Sequence, residues 1–263
     1  MQGLTCKNLP RLSLTTLLCL LAACEKPTPP PDLFYNPQSI NIGQSPAFLA
    51  TADLNLDGAM DIVSANSKNN SISIIYGKGD GLFLNPILIK VLTEPTMLAV
   101  ADLNHDDRPD IIVNSRGNNG FIVLLSKSDG GFQSLPKQET GKVPLAIILD
   151  DFNKDGHVDA AVTVTFNNVE IYLGTGDGHF KKGEIHTTGS RPFSGVSGDF
   201  NNDGKIDLAI AADSANSSAI RIYTGNGDGT FRQTGKIAEG LNPLVLIKKD
   251  MNGDQREDLI TAS

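Results

Sequence analysis

One acidic loop of nine residues occurs five times in this chain, with 49, 49, 48 and 51 residues between successive first aspartates. The copies start at Asp53, Asp102, Asp151, Asp199 and Asp250. A motif that returns at this period marks a row of similar supersecondary units, each burying its apolar face against the next. Anything the chain folds into must repeat at that interval.

The loop also carries chemistry. Positions one, three and five are Asp, Asn and Asp in every copy: Asp53, Asn55, Asp57; Asp102, Asn104, Asp106; Asp151, Asn153, Asp155; Asp199, Asn201, Asp203; Asp250, Asn252, Asp254. Alternate side chains of a tight loop converge on one point. Hard oxygen donors there suit Ca2+, which takes six to eight oxygens at about 2.3–2.6 Å. The backbone carbonyl of position seven is an expected further ligand, from Ala59, Arg108, His157, Lys205 and Arg256. Position nine is aspartate throughout (Asp61, Asp110, Asp159, Asp207, Asp258) and closes the expected cage. The expected cofactor is thus Ca2+, up to five ions.

Glycine at position six (Gly58, Gly156, Gly204) tolerates the positive φ of a sharp turn. Asp107 and Gln255 take that slot in the second and fifth copies, where the match is weaker. An EF-hand is excluded, because its twelfth position should be Glu, whereas Ser64, Val113, Val162, Ile210 and Thr261 stand there. Metal-free Asx turns are the plain alternative. Against them, clustered carboxylates repel when no cation is present.

A second motif follows each of the first four loops: Gly77 to Phe83, Ser126 to Phe132, Gly174 to Phe180 and Gly225 to Phe231, all ending in Asp-Gly-x-Phe. It reads as a tight turn opening a strand. A dinucleotide fingerprint would need a helix next. Between the motifs lie apolar runs such as Leu145 to Leu149, Asp159 to Thr163 and Val169 to Leu173. Ile72, Ile74 and Tyr76 alternate as in a half-buried strand. Four strands in about fifty residues, with no helical pattern, predict an all-β propeller blade.

The acidic loop combined with Gly-Asp-Gly-x-Phe resembles the FG-GAP/VCBS repeat family, related to the propeller of integrin α chains. The resemblance covers residues 34–263. It implies calcium loops between the first and second strand of each blade, on one face, with ligands on the opposite face. The expected fold is a β-propeller of four-stranded blades over residues 33–263. About five repeats are expected, four full and the last incomplete, with a truncated larger propeller as the alternative. Residues 33–43 read as a lone fourth strand able to close a ring with the last blade.

The amino terminus reads as a lipoprotein signal over residues 1–23. Lys7 and Arg11 precede an apolar run, Leu12 to Leu21, too short for a stable span. Leu21-Ala22-Ala23-Cys24 resembles a bacterial lipobox, which makes Cys24 the expected lipidation site. A Pro-rich tether follows at residues 24–32. Cys6 and Cys19 fall in the removed segment, so no disulfide remains. By resemblance to the lipoproteins of enteric bacteria, Glu25 in place of Asp implies the outer membrane. The formal charge of −8 becomes −10 without Lys7 and Arg11, which five Ca2+ would balance. No basic face points to nucleic acid.

No catalytic motif occurs: there is no Gly-x-Ser-x-Gly elbow, zinc helix or Walker loop. His105, His157 and His179 sit in loops, where solvation is expected, and Asp213, Glu170 and Glu184 read as solvated surface carboxylates. The expected function is a non-catalytic, calcium-binding adhesion module of the cell envelope, with a protein or glycan ligand. Arg116, Phe166, Arg191 and Phe193 are the candidate ligand-face residues. A polysaccharide-active propeller enzyme and a purely structural envelope lipoprotein are the alternatives.

Overall fold

The computed structural model describes residues 39–189, 191–213, 218–254 and 256–263. The signal segment, Cys24, the tether, residues 33–38 and Gln255 lie outside them, as does the side chain of Asp213. The strands come in order. Blade one has β1 (Pro46–Ala52), β2 (Asp61–Asn66), β3 (Ser71–Ile75) and β4 (Ile87–Lys90). Blade two has β5 (Pro95–Ala101), β6 (Asp110–Ser115), β7 (Gly120–Ser126), β8 (Phe132–Ser134) and β9 (Gln138–Glu139). Blade three has β10 (Pro144–Asp150), β11 (Asp159–Val164), β12 (Asn168–Gly174) and β13 (Phe180–Thr187). Blade four has β14 (Arg191–Gly198), β15 (Asp207–Asp213), β16 (Ala219–Gly225) and β17 (Phe231–Ile237). A last hairpin has β18 (Val245–Lys249) and β19 (Asp258–Ala262).

Every pairing is antiparallel, and strands within a blade are neighbours in chain order. In blade two the fourth strand is broken: β8 and β9 both pair with β7 and flank Pro136. Proline has no N–H to give the ladder there. The first strands pack side by side, β1 on β5, β5 on β10, β10 on β14 and β14 on β18. This is a β-propeller array of four full blades and an incomplete fifth.

The core lies between blades, not within them. Four apolar clusters each join residues of two successive blades. Period-two alternation supplies both sides: Ile111 and Val113 point toward blade one while Ile112 points toward blade three. Leu208 and Ile210 face blade three, whereas Ala209 and Ala211 face the last hairpin. The second strands are therefore buried on both faces and read as unbroken apolar runs. The fourth strands of blades one and three, β4 and β13, are mostly exposed.

Three expectations need correcting. First, β3 is buried at every position rather than half-buried: Ile72 and Ile74 pack on blade two, while Asn66 and the Gly43 backbone meet the serines on the other face. Its serines are satisfied inside: Asn66 Nδ2 donates to Ser71 Oγ at 3.3 Å and to Ser73 Oγ at 2.9 Å. Second, Glu170 is not a surface group but 2 % exposed on β12. Lys182 Nζ (2.8 Å), Tyr172 Oη (2.6 Å) and Gly141 N–H (2.9 Å) all donate to it. These donors outweigh burial and hold its carboxyl below the ordinary glutamate range. Third, Ser39 to Gly43, the described part of the proposed closing strand, is irregular. Gly43 N–H donates to Ser73 Oγ, which ties that segment to blade one. At the other end, Val245 and Ile247 of β18 are exposed, as is Leu49 of β1.

A proline recurs with the same period. Pro46, Pro95, Pro144 and Pro192 stand at the start of the first strand of successive blades, and a bulge follows each. Proline at a strand's first residues breaks no ladder bond that is needed.

Candidate functional site

The acidic loops join first to second strands, at one end of the blades. Their geometry follows from competition for backbone N–H groups. In the first loop Asp57 N–H points at both Asp53 Oδ1 and Asn55 Oδ1, each 3.1 Å away. Gly58 N–H donates to Asp53 Oδ2 at 2.8 Å, and Ala59 N–H to Asp57 Oδ1 at 2.8 Å. Asn55 Nδ2 reaches Asp57 Oδ2. The same pattern returns at Asp102, Asn104 and Asp106, at Asp151, Asn153 and Asp155, and at Asp199, Asn201 and Asp203. His157, Lys205, Arg108 and Arg256, at position seven, each donate their N–H to the position-five carboxylate. In the last loop Asp254 N–H donates to Asn252 Oδ1, and Gly253 N–H to Asp250 Oδ1.

The side chains of positions one, three and five are thus gathered over a single turn. Among the described residues no three carboxylate, imidazole or thiol side chains converge into a cage of their own. The donor set is mixed: two carboxylates, an amide oxygen and backbone carbonyls. An all-oxygen set of that kind fits a hard divalent cation.

The turn needs left-handed backbone at two places. Gly58, Gly156 and Gly204 have φ of 85°, 86° and 77°, and Asp107 follows them at 62°. The aspartate therefore keeps the turn of the second loop. Position four is left-handed too, at Leu56 (60°), His105, Lys154 and Asn202, with Gly253 in the last loop. A leucine there costs about 1–2 kcal/mol, since Cβ crowds the following carbonyl. Leu56 is 53 % exposed, so little packing offsets the cost. Leu56→Asn is expected to raise the melting temperature by about 2–4 °C, for roughly 1 kcal/mol gained. A melting curve unchanged or lowered contradicts this strain.

The ninth aspartate does something that was not foreseen. Asp61 is fully buried, and each carboxylate oxygen takes a backbone donor: Leu54 N–H at 2.9 Å and Gly77 N–H at 2.8 Å. Asp110 binds Leu103 and Ser126, Asp159 binds Phe152 and Gly174, and Asp207 binds Phe200 and Gly225 in the same way. The carboxylate clamps the loop to the end of the blade's third strand. In the last hairpin, which has no third strand, Asp258 takes Met251 N–H. The clamp also explains a glycine. A Cβ on Gly77, Gly174 or Gly225 would lie 2.1–2.3 Å from the carbonyl oxygen just before the clamp. The sequence signal was available: in the first four loops the position-nine carboxylate is followed by a Gly or Ser fifteen to eighteen residues later.

Burial beside two further carboxylates, Asp155 and Asp151, pushes Asp159 up to about 6, and moves Asp110 and Asp207 in the same direction. A carboxyl whose folded value is raised holds its proton in the folded state between about 4 and 6, where the unfolded chain has lost it. Stability therefore falls as pH rises through that window. In chelator, lowering the pH from 7 to 5 is expected to stabilise the chain by about 1 kcal/mol through Asp159 alone. Chemical denaturation at the two pH values checks this, and an opposite slope contradicts it.

The opposite end of the blades carries the second-to-third turns and the links between blades. The turns bond to those links: Arg116 N–H donates to Glu94 O, Ser67 N–H to Ser45 O and Thr165 N–H to Val143 O. Between blades one and two a cleft of about 570 Å³ opens there, lined by Ser67, Lys68, Asn70, Thr93, Glu94 and Arg116 among others. Phe166 is 73 % exposed with φ of 66°, and Lys142 Nζ lies 5.5 Å from its ring centre. The Arg191 guanidinium lies 5.3 Å from the Phe193 ring centre. Of the four candidate ligand residues, Arg116 lines the cleft, Phe166 tips a turn of blade three, and Arg191 and Phe193 form a pair on β14.

Comparison with known proteins agrees with this architecture. No curated relative matches the sequence. Among solved structures, a putative 6-phosphogluconolactonase from Bacteroides fragilis superposes with a TM-score of 0.59 at 19 % identity, over 79 % of this chain and 61 % of that one. BBS1N, solved in complex with ARL6DN, gives 0.56 at 15 % over 86 % and 65 %. A Lactobacillus plantarum protein gives 0.53 at 17 % over 76 % and 57 %. This chain thus spans about three-fifths of the length of these structures, and the likeness is one of fold. The FG-GAP-like repeat matches residues 53–113, 151–210 and 199–261. Each match begins on the first aspartate of a loop and runs through a following second strand, so the chain belongs to the FG-GAP-like repeat family.

Proposed function

We propose that this chain is a calcium-stiffened, non-catalytic binding module of the bacterial cell envelope. One observation supports it above the rest: the side-chain oxygens of positions one, three and five are gathered in the same way in successive blades. Asp151, Asn153 and Asp155, with the carbonyl of His157, would hold an ion in blade three. The corresponding residues of the other loops would do so in theirs. A bound cation supplies the positive charge that the paired carboxylates lack, while the chain's own amides orient the oxygens. The ninth aspartates, committed to backbone donors, act chiefly as clamps.

The ligand meets the opposite face. The cleft presents Lys68, Glu94 and Arg116 together, a polar lining that suits a protein or a glycan. Phe166 supports the same face, since a largely exposed aromatic ring on a left-handed backbone buries little for the fold. Lipid at Cys24 would hold the domain to the outer membrane, with the prolines after it as a spacer.

Calcium at millimolar level on sites of about 10⁻⁴–10⁻³ M contributes roughly 0.5–1.5 kcal/mol each. Five sites together then contribute a few kcal/mol, against a domain stability of about 5–15 kcal/mol. EDTA is expected to lower the melting temperature by about 5–15 °C. Asp155→Ala should lower it by a smaller step, and only when calcium is present. Melting that ignores the chelator overturns the calcium reading. A glycan and surface-protein array with Arg116→Ala and Phe166→Ala tests the ligand face, and binding that neither change weakens removes it.

A further inference from the structure

We propose a second metal site, for a borderline divalent ion such as Cu2+ or Zn2+, between the loops of blades two and three at His105 and His157. His105 Nε2 stands 2.6 Å from His157 Nδ1, with ring centres 4.9 Å apart and planes tilted by 54°. The two nitrogens thus face one another across the seam, each with a lone pair available in the proper tautomer. One metal bonded to both at about 2.0–2.1 Å needs them about 3.3 Å apart. A small rotation of the exposed His105 ring provides that.

The pair is held, not adventitiously close. His105 is the fourth residue of its loop, fixed at φ of 60° by the bonds that close the turn. The His157 ring fills the space over Gly176, where a Cβ would lie 2.5 Å from ring carbon. The Asp155 carboxylate stands beside the pair, accepting the His157 backbone N–H at 2.8 Å. Its negative field favours a bound cation.

The juxtaposition belongs to the array, but the chemistry belongs to this seam. The fourth residue of one loop reaches the next loop elsewhere too: Lys154 Nζ lies 4.0 Å from a Cβ built on Gly204. At the other seams the residues at positions four and seven are Leu56 with Arg108, Lys154 with Lys205, and Asn202 with Arg256. Among the described residues, only blades two and three bring two imidazoles together. Imidazole suits Cu2+ and Zn2+, whereas Ca2+ takes oxygen. The two kinds of ion are thus sorted by donor type within one rim of loops.

The test is titration of the calcium-saturated full chain with Cu2+, read by pulsed electron paramagnetic resonance for coordinated imidazole nitrogen. One copper with two imidazoles is expected, and millimolar calcium should not displace it. His105→Asn, which keeps the left-handed backbone, and His157→Gln should each weaken binding at least tenfold. His179→Asn should not weaken it. Circular dichroism of each variant checks the fold. Copper without imidazole coupling, copper displaced by calcium, or affinity unaffected by either substitution overturns the site. None of these outcomes depends on whether the acidic loops bind calcium.

Discussion

Asp159→Ala is expected to lower the melting temperature by about 5–15 °C, in calcium and in chelator alike. The change strands two donors that are bonded at 2.9 and 2.7 Å, Phe152 N–H and Gly174 N–H, inside a fully buried site. Each buried orphan costs about 1–3 kcal/mol, so the pair costs about 2–6 kcal/mol, partly offset by removing a carboxyl that burial disfavours. Each kcal/mol moves the melting point of a chain this size by about 2–4 °C. The contrast with Asp155→Ala separates the two roles of the loop. If Asp159→Ala loses its effect once calcium is removed, the residue is chiefly a metal ligand and the clamp is wrong.

Tyr172→Ala is expected to cost about 3–5 kcal/mol, the range for deleting a buried aromatic side chain. Its ring is fully buried at the seam of blades two and three, edge-on to Phe121 at 5.2 Å. Its hydroxyl hydrogen goes chiefly to Glu170 Oε2 at 2.6 Å, with Glu139 O as a second, shared acceptor at 3.0 Å. Tyr172→Phe keeps the ring and strips those bonds, for about 1–2 kcal/mol. Denaturant midpoints for the two variants decide the matter. Equal losses would place the stabilisation in the Glu170 network rather than in the apolar seam.

Much of this architecture could be read from residues alone because the period does most of the work. The loops, the Gly-Asp-Gly turns and the apolar runs between them predict four strands per unit, and the family match follows the same aspartates. What stayed hidden were relations between blades. Glu170 looks like an ordinary strand residue until Lys182, Tyr172 and Gly141 are seen to surround it. The first glycine of each turn motif looked like a bend, yet Gly77, Gly174 and Gly225 are small because a carbonyl lies against them. The ninth aspartate looked like a fifth ligand, and its partner residue is sixteen positions away in blade one. The pairing of His105 with His157 spans fifty-two residues, which no local pattern reports.

The placement of the apolar clusters at the seams has an evolutionary consequence. No unit owns a centre that fixes its rank in the series; each offers one greasy side forward and one back. A duplicated stretch of about fifty residues would slot between existing neighbours and find both partners ready-made. Chains of this kind can therefore change length by whole units while each unit's chemistry drifts on its own.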